Sequence, residues 1–296
     1  MPQLTDFAVL GNYSIDIIVS NIAFPLKFCD VKPVQGVYFK PGGSARNVAV
    51  QLKLSGASVL LLAPICRSDP LFSILKKDLL HHNLSGSGLV SLGPGLSKTV
   101  ILLSGEGQRM ILANSVFPQL LKSQMQKILN LKIDRWRRGI ENADVLVTKA
   151  FSFCKPWMEL AHRLGKEIVC DFSVMNIRQE YFFQILKYCN IVMLSGTRRN
   201  GLKEDLKICA KARVPLVLVT HGERGVMSYS LDRKAKYSEC KHPLPAENRV
   251  IVRDTTGAGD SFLGGFLGAY YQDKGLVDSV HIGQETAGKK IQEFGG

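Results

Sequence analysis

An α/β fold built on a mainly parallel sheet is what this 296-residue sequence predicts, and two observations carry the prediction. Short, continuous apolar runs recur along the chain, and stretches with helical periodicity separate them. Continuous rather than alternating runs mark strands covered on both faces. Strand–helix alternation places such strands in parallel, with ligands gathering beyond their carboxyl ends.

The runs are Phe7–Leu10, Val59–Ala63, Val145–Val147, Ile168–Cys170, Ile191–Leu194 and Leu216–Val219. Between them, Ala45–Ser55 reads as a helix with Val48 and Leu52 one turn apart and Gly56 as its C-terminal cap. Pro156–Leu164, Gln179–Tyr188, Glu204–Ala212 and Phe262–Tyr271 read as further helices. Two regions break the alternation. Ile15–Val19 with Gly36–Lys40, and Thr99–Leu103 with Arg109–Leu112, read as extended strands, with Gly105-Glu106-Gly107 as a hairpin turn. They predict a small separate sheet. The length suits one domain spanning 1–296 at about 100–200 residues per domain.

Composition excludes several classes. Hydrophobic residues make up 46% of the chain, enough for a packed core rather than a disordered one. No stretch reaches the ~18 apolar residues of a membrane helix. Met1–Phe7 has no basic region leading into an apolar run, so a cytoplasmic protein with no membrane partner is expected. The seven cysteines (Cys29, Cys66, Cys154, Cys170, Cys189, Cys209, Cys240) contain no CxxC spacing and read as small buried hydrophobes in a reducing compartment. The net charge of +13 is scattered over the sequence, with no aromatic-interleaved basic run, so no nucleic-acid partner is expected. The six histidines lack metal-ligand spacing. GxSxG, Walker A and HExxH strings are absent.

The chemistry is concentrated in Asp254-Thr255-Thr256-Gly257-Ala258-Gly259-Asp260-Ser261-Phe262, which follows the apolar run Val250–Val252. Small residues at 257–259 permit a sharp turn that exposes successive backbone N–H groups. At a helix N-terminus such groups form an anion site, as phosphoryl transfer requires. A carboxylate directly after them, Asp260, is placed to accept the proton of an attacking hydroxyl. The alternative is a plain glycine turn with Asp260 as a helix cap.

DTTGAGDSF resembles the C-terminal signature of the ribokinase-like, or PfkB, kinases. Gly42-Gly43-Ser44-Ala45-Arg46-Asn47-Val48-Ala49 resembles their N-terminal signature. Gly11-Asn12-Tyr13-Ser14-Ile15-Asp16 and Thr220-His221-Gly222-Glu223-Arg224-Gly225 match two weaker motifs, in order and spacing, over nearly the whole chain. The resemblance implies a three-layer ribokinase-like fold with a β lid formed from about 12–40 and 97–115. It implies an ATP-dependent transfer to a hydroxymethyl group of a small-molecule sugar or nucleoside, with Mg²⁺. Asp260 then matches the catalytic base, and Gly257, Ala258 and Gly259 the anion hole. Asp16, Gly42, Gly43 and Asn47 match the acceptor-binding positions, for which turn or cap chemistry is the alternative. Thr220, Gly222 and Gly225 match the ATP-binding turn, with His221 either a nucleotide contact or structural. Asp254 and Thr256 lie where relatives hold a monovalent cation such as K⁺. Gly-Gly-Ser-Ala-Arg-Asn resembles the version in pseudouridine kinases, which turns the expectation toward a nucleoside. A homodimer is compatible with the resemblance.

Three departures stand out. The family's Asn-x-x-Glu stretch reads Ser195-Gly196-Thr197-Arg198, with a cation where the carboxylate is expected. The Gly-Asp pair before the helix near Leu71 reads Arg67-Ser68-Asp69-Pro70. The sequence stops shortly after Phe294-Gly295, short of the family's usual end. The first departure supports a second reading: a family member that binds a sugar or nucleotide as a sensor or partner subunit without catalysis. The intact DTTGAGD opposes it.

Overall fold

The computed structural model describes residues 6–29, 31–92, 95–105, 108–114, 134–173, 175–198, 200–244 and 250–293. Among them, a large sheet runs through strands β1 (Asp6–Leu10), β4 (Ser58–Ile65), β5 (Leu89–Ser91), β8 (Val145–Lys149), β9 (Glu167–Asp171), β10 (Ile191–Ser195), β11 (Leu216–Thr220), β12 (Val226–Leu231) and β13 (Tyr237–His242). Its order is β13-β12-β11-β10-β9-β8-β1-β4-β5. Every pairing from β5 to β11 is parallel; β12 and β13 are antiparallel additions at one edge.

The apolar runs are continuous because both faces of this sheet are covered. On β1, Phe7 and Val9 join one core cluster while Ala8 and Leu10 join the other. The first cluster includes α1 (Ser44–Leu54), α2 (Phe72–His81), α7 (Ala258–Tyr270) and α8 (Leu276–Lys290). The second includes α3 (Asp134–Asn142), α4 (Lys155–Arg163), α5 (Glu180–Leu186) and α6 (Leu202–Lys211). This is the three-layer arrangement expected.

One contact positions the chemistry. Helices α1 and α7 pack almost backbone to backbone: a Cβ added at Gly264 would lie 2.5 Å from Gln51 Cβ and 3.0 Å from the Val48 carbonyl oxygen.

A second, four-stranded sheet has the order β3-β2-β6-β7, from β2 (Ser14–Ser20), β3 (Gly36–Gly42), β6 (Lys98–Leu103) and β7 (Arg109–Asn114). Ser104 N–H bonds Gln108 O at 2.8 Å across the expected hairpin; Glu106 and Gly107 lie outside the described residues, as do residue 115 and Phe294-Gly295.

One sequence expectation needs correction, and two features of the fold lie outside the expectations. Cys29 and Cys240 are exposed, while the other five cysteines are buried. The run Val250–Val252 is irregular and outward-facing, with Ile251 83% exposed, so apolar composition there does not signal core. The β12–β13 hairpin was not expected, because Tyr-Ser-Glu-Cys-Lys-His on an edge strand carries too few apolar residues to register as one. Among the described residues no helix is long and apolar enough to cross a membrane.

Candidate active site

The predicted site residues converge at the carboxyl ends of the parallel strands. Gly257 takes the left-handed conformation (φ 77°) that glycine adopts without strain, turning the chain into α7. Ser261 N–H donates back to Gly257 O at 2.8 Å. Ala258, Gly259 and Asp260 therefore occupy the first turn; Ala258 N–H donates back to Thr255 O at 3.3 Å, and the next N–H groups point out of the helix and attract an anion.

Asp260 meets two side chains from distant segments, Asn47 and Lys149. Asn47 Nδ2 donates to its Oδ2 at 3.1 Å. Lys149 Nζ lies 3.8 Å from its Oδ1 and 2.9 Å from Asp171 Oδ2. Burial pushes the Asp260 carboxyl above its ordinary value. Lys149 pulls it down, the Asp171 charge raises it, and the Asn47 bond and Arg109 lower it. A carboxylate held this way is a better proton acceptor than a solvated one.

Asp16 stands on β2, and its carboxylate lies against Gly42: a Cβ there would sit 2.2 Å from Asp16 Oδ2. Gly43 (φ 102°) caps α1, and a Cβ on it would meet Asn12 O at 2.4 Å. Gly43 therefore excludes any side chain, and a side chain at residue 42 would displace the Asp16 carboxylate. Burial raises the Asp16 carboxyl to about 6, with the Ser14 hydroxyl lowering it, the Asp260 charge adding to the rise, Arg46 lowering it and Asp254 raising it.

Asp254 is fully buried and accepts from Thr256 N–H at 2.8 Å and Thr256 Oγ1 at 2.6 Å. Arg109 Nη1, from β7 of the small sheet, lies 3.9 Å from Asp254 Oδ1. Thr256 and Arg109 thus both address Asp254 Oδ1.

Thr220 ends β11 in register with Ser195. Gly222 (φ 60°) and Gly225 (φ 85°) turn the chain behind it. The His221 ring packs against Gly196, where a Cβ would come 2.2 Å from His221 Cε1, and Ser195 Oγ lies 3.1 Å from Thr197 Oγ1. His221 Nε2 is buried with no hydrogen-bond partner among the described residues. The Arg198 side chain lies outside the described residues.

Lys149, Asp171 and Arg109 were missed by sequence reasoning. Lys149 and Asp171 are the last residues of β8 and β9, and that terminal position was the available signal. Asp69, in the altered Arg67-Ser68-Asp69-Pro70 stretch, accepts from Lys98 Nζ at 2.6 Å, Leu71 N–H at 2.9 Å and Leu96 N–H at 3.0 Å, tying the small sheet to the main body.

The sequence is 37% identical over 313 residues to an adenosine kinase of Schizophyllum commune, covering 96% of this chain and 89% of that one. The chain belongs to the PfkB family. The family's sequence model, described as pfkB family carbohydrate kinase, matches residues 191–296, the segment that carries Asp254–Asp260. A cytidine kinase of Thermococcus kodakarensis is 27% identical over 315 residues, covering 99% of this chain and 98% of that one. The crystal structure of a ribokinase from Thermotoga maritima superposes with a TM-score of 0.77 at 20% identity, over 99% of this chain and 94% of that one. The ribokinase-like fold expected from the signatures is the fold observed, and the PfkB chain is a kinase.

Proposed function

We propose that this PfkB kinase transfers the terminal phosphoryl group of ATP to a hydroxymethyl group of a sugar or nucleoside, with Asp260 as the general base. The observation that carries the reading is the placement of Asp260: first turn of α7, behind left-handed Gly257, bonded to Asn47, with its carboxyl raised by burial. The adenosine and cytidine kinases named above favour a nucleoside as acceptor.

Asp16 and Asn47 bind acceptor hydroxyls, one accepting and one donating, while Gly42 and Gly43 let the acceptor approach the backbone. Asp260 takes the proton of the attacking hydroxyl. The N–H groups at 257–259 hold the charge that develops on the migrating phosphoryl, and Lys149 adds a cation beside them. Thr220, Gly222 and Gly225, with His221, line the nucleotide side. Bound ATP with Mg²⁺ supplies the phosphoryl group and a divalent counter-charge. The small sheet acts as a lid, bringing Asp16 and Arg109 to the site and excluding water.

The non-catalytic reading is not favoured, because the departure at Ser195-Gly196-Thr197 leaves the Asp260 cluster intact. Arg46 lends nothing to a pseudouridine acceptor, since its side chain turns to Asp78. The test is ADP release from ATP and Mg²⁺ across a panel of ribonucleosides, pentoses and hexoses. At least one acceptor should give turnover well above the water reaction; a panel giving none, with ATP still bound, would support the sensor reading instead.

A further inference from the structure

Arg46 is buried on α1, beside Asn47. A guanidinium removed from water must be paired, and Asp78 on α2 receives it with both oxygens: Nε to Oδ2 at 3.0 Å and Nη2 to Oδ1 at 2.5 Å. Asp78 is itself held. Tyr13 Oη lies 2.8 Å from Asp78 Oδ2 and from Leu75 O. His82 Nε2 lies 3.2 Å from Arg46 Nη2. The fork is therefore fixed from β1's following turn and from α2.

Arg46 Nη1 donates to Asn47 Oδ1 at 3.1 Å. A guanidinium can only donate, so the Asn47 atom facing it is the oxygen. The amide nitrogen must then face the other way, and Asn47 Nδ2 meets Asp260 Oδ2 at 3.1 Å. An ionised carboxylate can only accept, so the two ends agree. A flipped amide would set its NH₂ against a guanidinium and its oxygen against a carboxylate.

We propose that Arg46, clamped by Asp78, is a positioning residue for phosphoryl transfer: it locks the Asn47 amide in the one orientation that donates to Asp260. The proposal rests on the reading of Asp260 as base. In this role Arg46 acts through Asn47. Its effect should therefore vanish once the Asn47 amide is gone.

The experiment is a cycle between Arg46→Met/Asp78→Leu and Asn47→Ala. Removing the buried pair together leaves no uncompensated charge, and such replacements commonly preserve the fold. Lys149, Asp171, Arg109 and Asp16, the other charged groups near Asp260, are unchanged throughout. Two readouts are taken: kcat with ATP and the panel acceptor of highest turnover, and the titration of the Asp260 carboxyl by ¹³C NMR, which needs no acceptor. The pair variant should lower kcat by about 10- to 100-fold, as a small misplacement of a reacting group does. It should move the Asp260 titration upward, with the Michaelis constant for ATP unchanged. In the Asn47→Ala background the same pair should change neither readout further. Additive losses, or an unmoved Asp260 titration, would overturn the proposal. Should the pair variant not fold, Arg46→Lys serves: lysine cannot bond Asp78 in a fork and reach Asn47 as well, so the titration should still rise. Asp260→Asn separates the two readings. If it keeps turnover the base assignment fails; if it is inactive and the cycle is additive, only the role of Arg46 fails.

Discussion

Lys149 stands between two carboxylates, 2.9 Å from Asp171 and 3.8 Å from Asp260. It is the nearer of the two cations that offset burial at the base, Arg109 being the other. Lys149→Met should therefore let Asp260 protonate at higher pH, because an opposite charge within ~4–6 Å holds a carboxyl down by roughly 1–3 units. The acid limb of the pH–rate profile should move up by about one unit or more, with the loss of turnover larger at pH 6 than at pH 8. An acid limb that stays in place would show that Lys149 serves Asp171 alone.

Asp260→Asn keeps the size and the Asn47 contact but cannot take a proton. Turnover should fall by ~10²–10⁴. ATP affinity and thermal unfolding should stay close to wild type. Retention of more than half the wild-type rate would remove Asp260 from the role of base.

The sheet and the acceptor signature were legible because they are local. Phe7–Leu10 is apolar on both faces, and Gly42-Gly43 and Gly257 carry conformations or approaches that only glycine allows. What was not legible is pairing across the chain. Asn47 meets Asp260 over 213 residues, and Arg46 meets Asp78 across two helices. Arg46 read as part of a substrate signature because nothing in Gly-Gly-Ser-Ala-Arg-Asn says which way its side chain turns. Lys149 and Asp171 lie just beyond the apolar runs of their strands, and only the parallel pairing of β8 with β9 brings the lysine between Asp171 and Asp260.

Asp16 gives a stability prediction with an unusual sign. Its folded carboxyl titrates at about 6, above the ~3.9 of an unfolded aspartate. The folded state thus binds the proton more tightly. Asp16 costs nothing below about pH 4, and its penalty grows as pH rises from there through about 6. Asp16→Asn should raise the melting temperature at pH 8, by on the order of 1–3 kcal/mol in stability, and the gain should shrink toward zero near pH 4. The same variant should weaken acceptor binding at pH 8, losing about 0.5–1.5 kcal/mol or more. Equal melting shifts at both pH values would mean that Asp16 is not held above its ordinary range.

Two glycines in neighbouring helices should answer the same substitution with opposite signs. At Gly288 in α8 an added Cβ meets nothing within 4 Å. Gly288→Ala removes only the backbone entropy that glycine brings to a helix, so it should stabilise the fold by about 0.5–1 kcal/mol without touching turnover. At Gly264 in α7 the added Cβ would lie 2.5 Å from Gln51 Cβ and 3.0 Å from the Val48 carbonyl oxygen. Those atoms belong to the body of α1, so the helix itself must move away. Gly264→Ala should cost about 1–3 kcal/mol, the usual range for overpacking. Because α1 carries Asn47 and α7 carries Asp260, the displacement should also lengthen the 3.1 Å bond between them and lower kcat. Chemical denaturation and turnover measured on the two variants check both halves. A stable Gly264→Ala enzyme with full activity would mean that α1 and α7 can separate without disturbing the site.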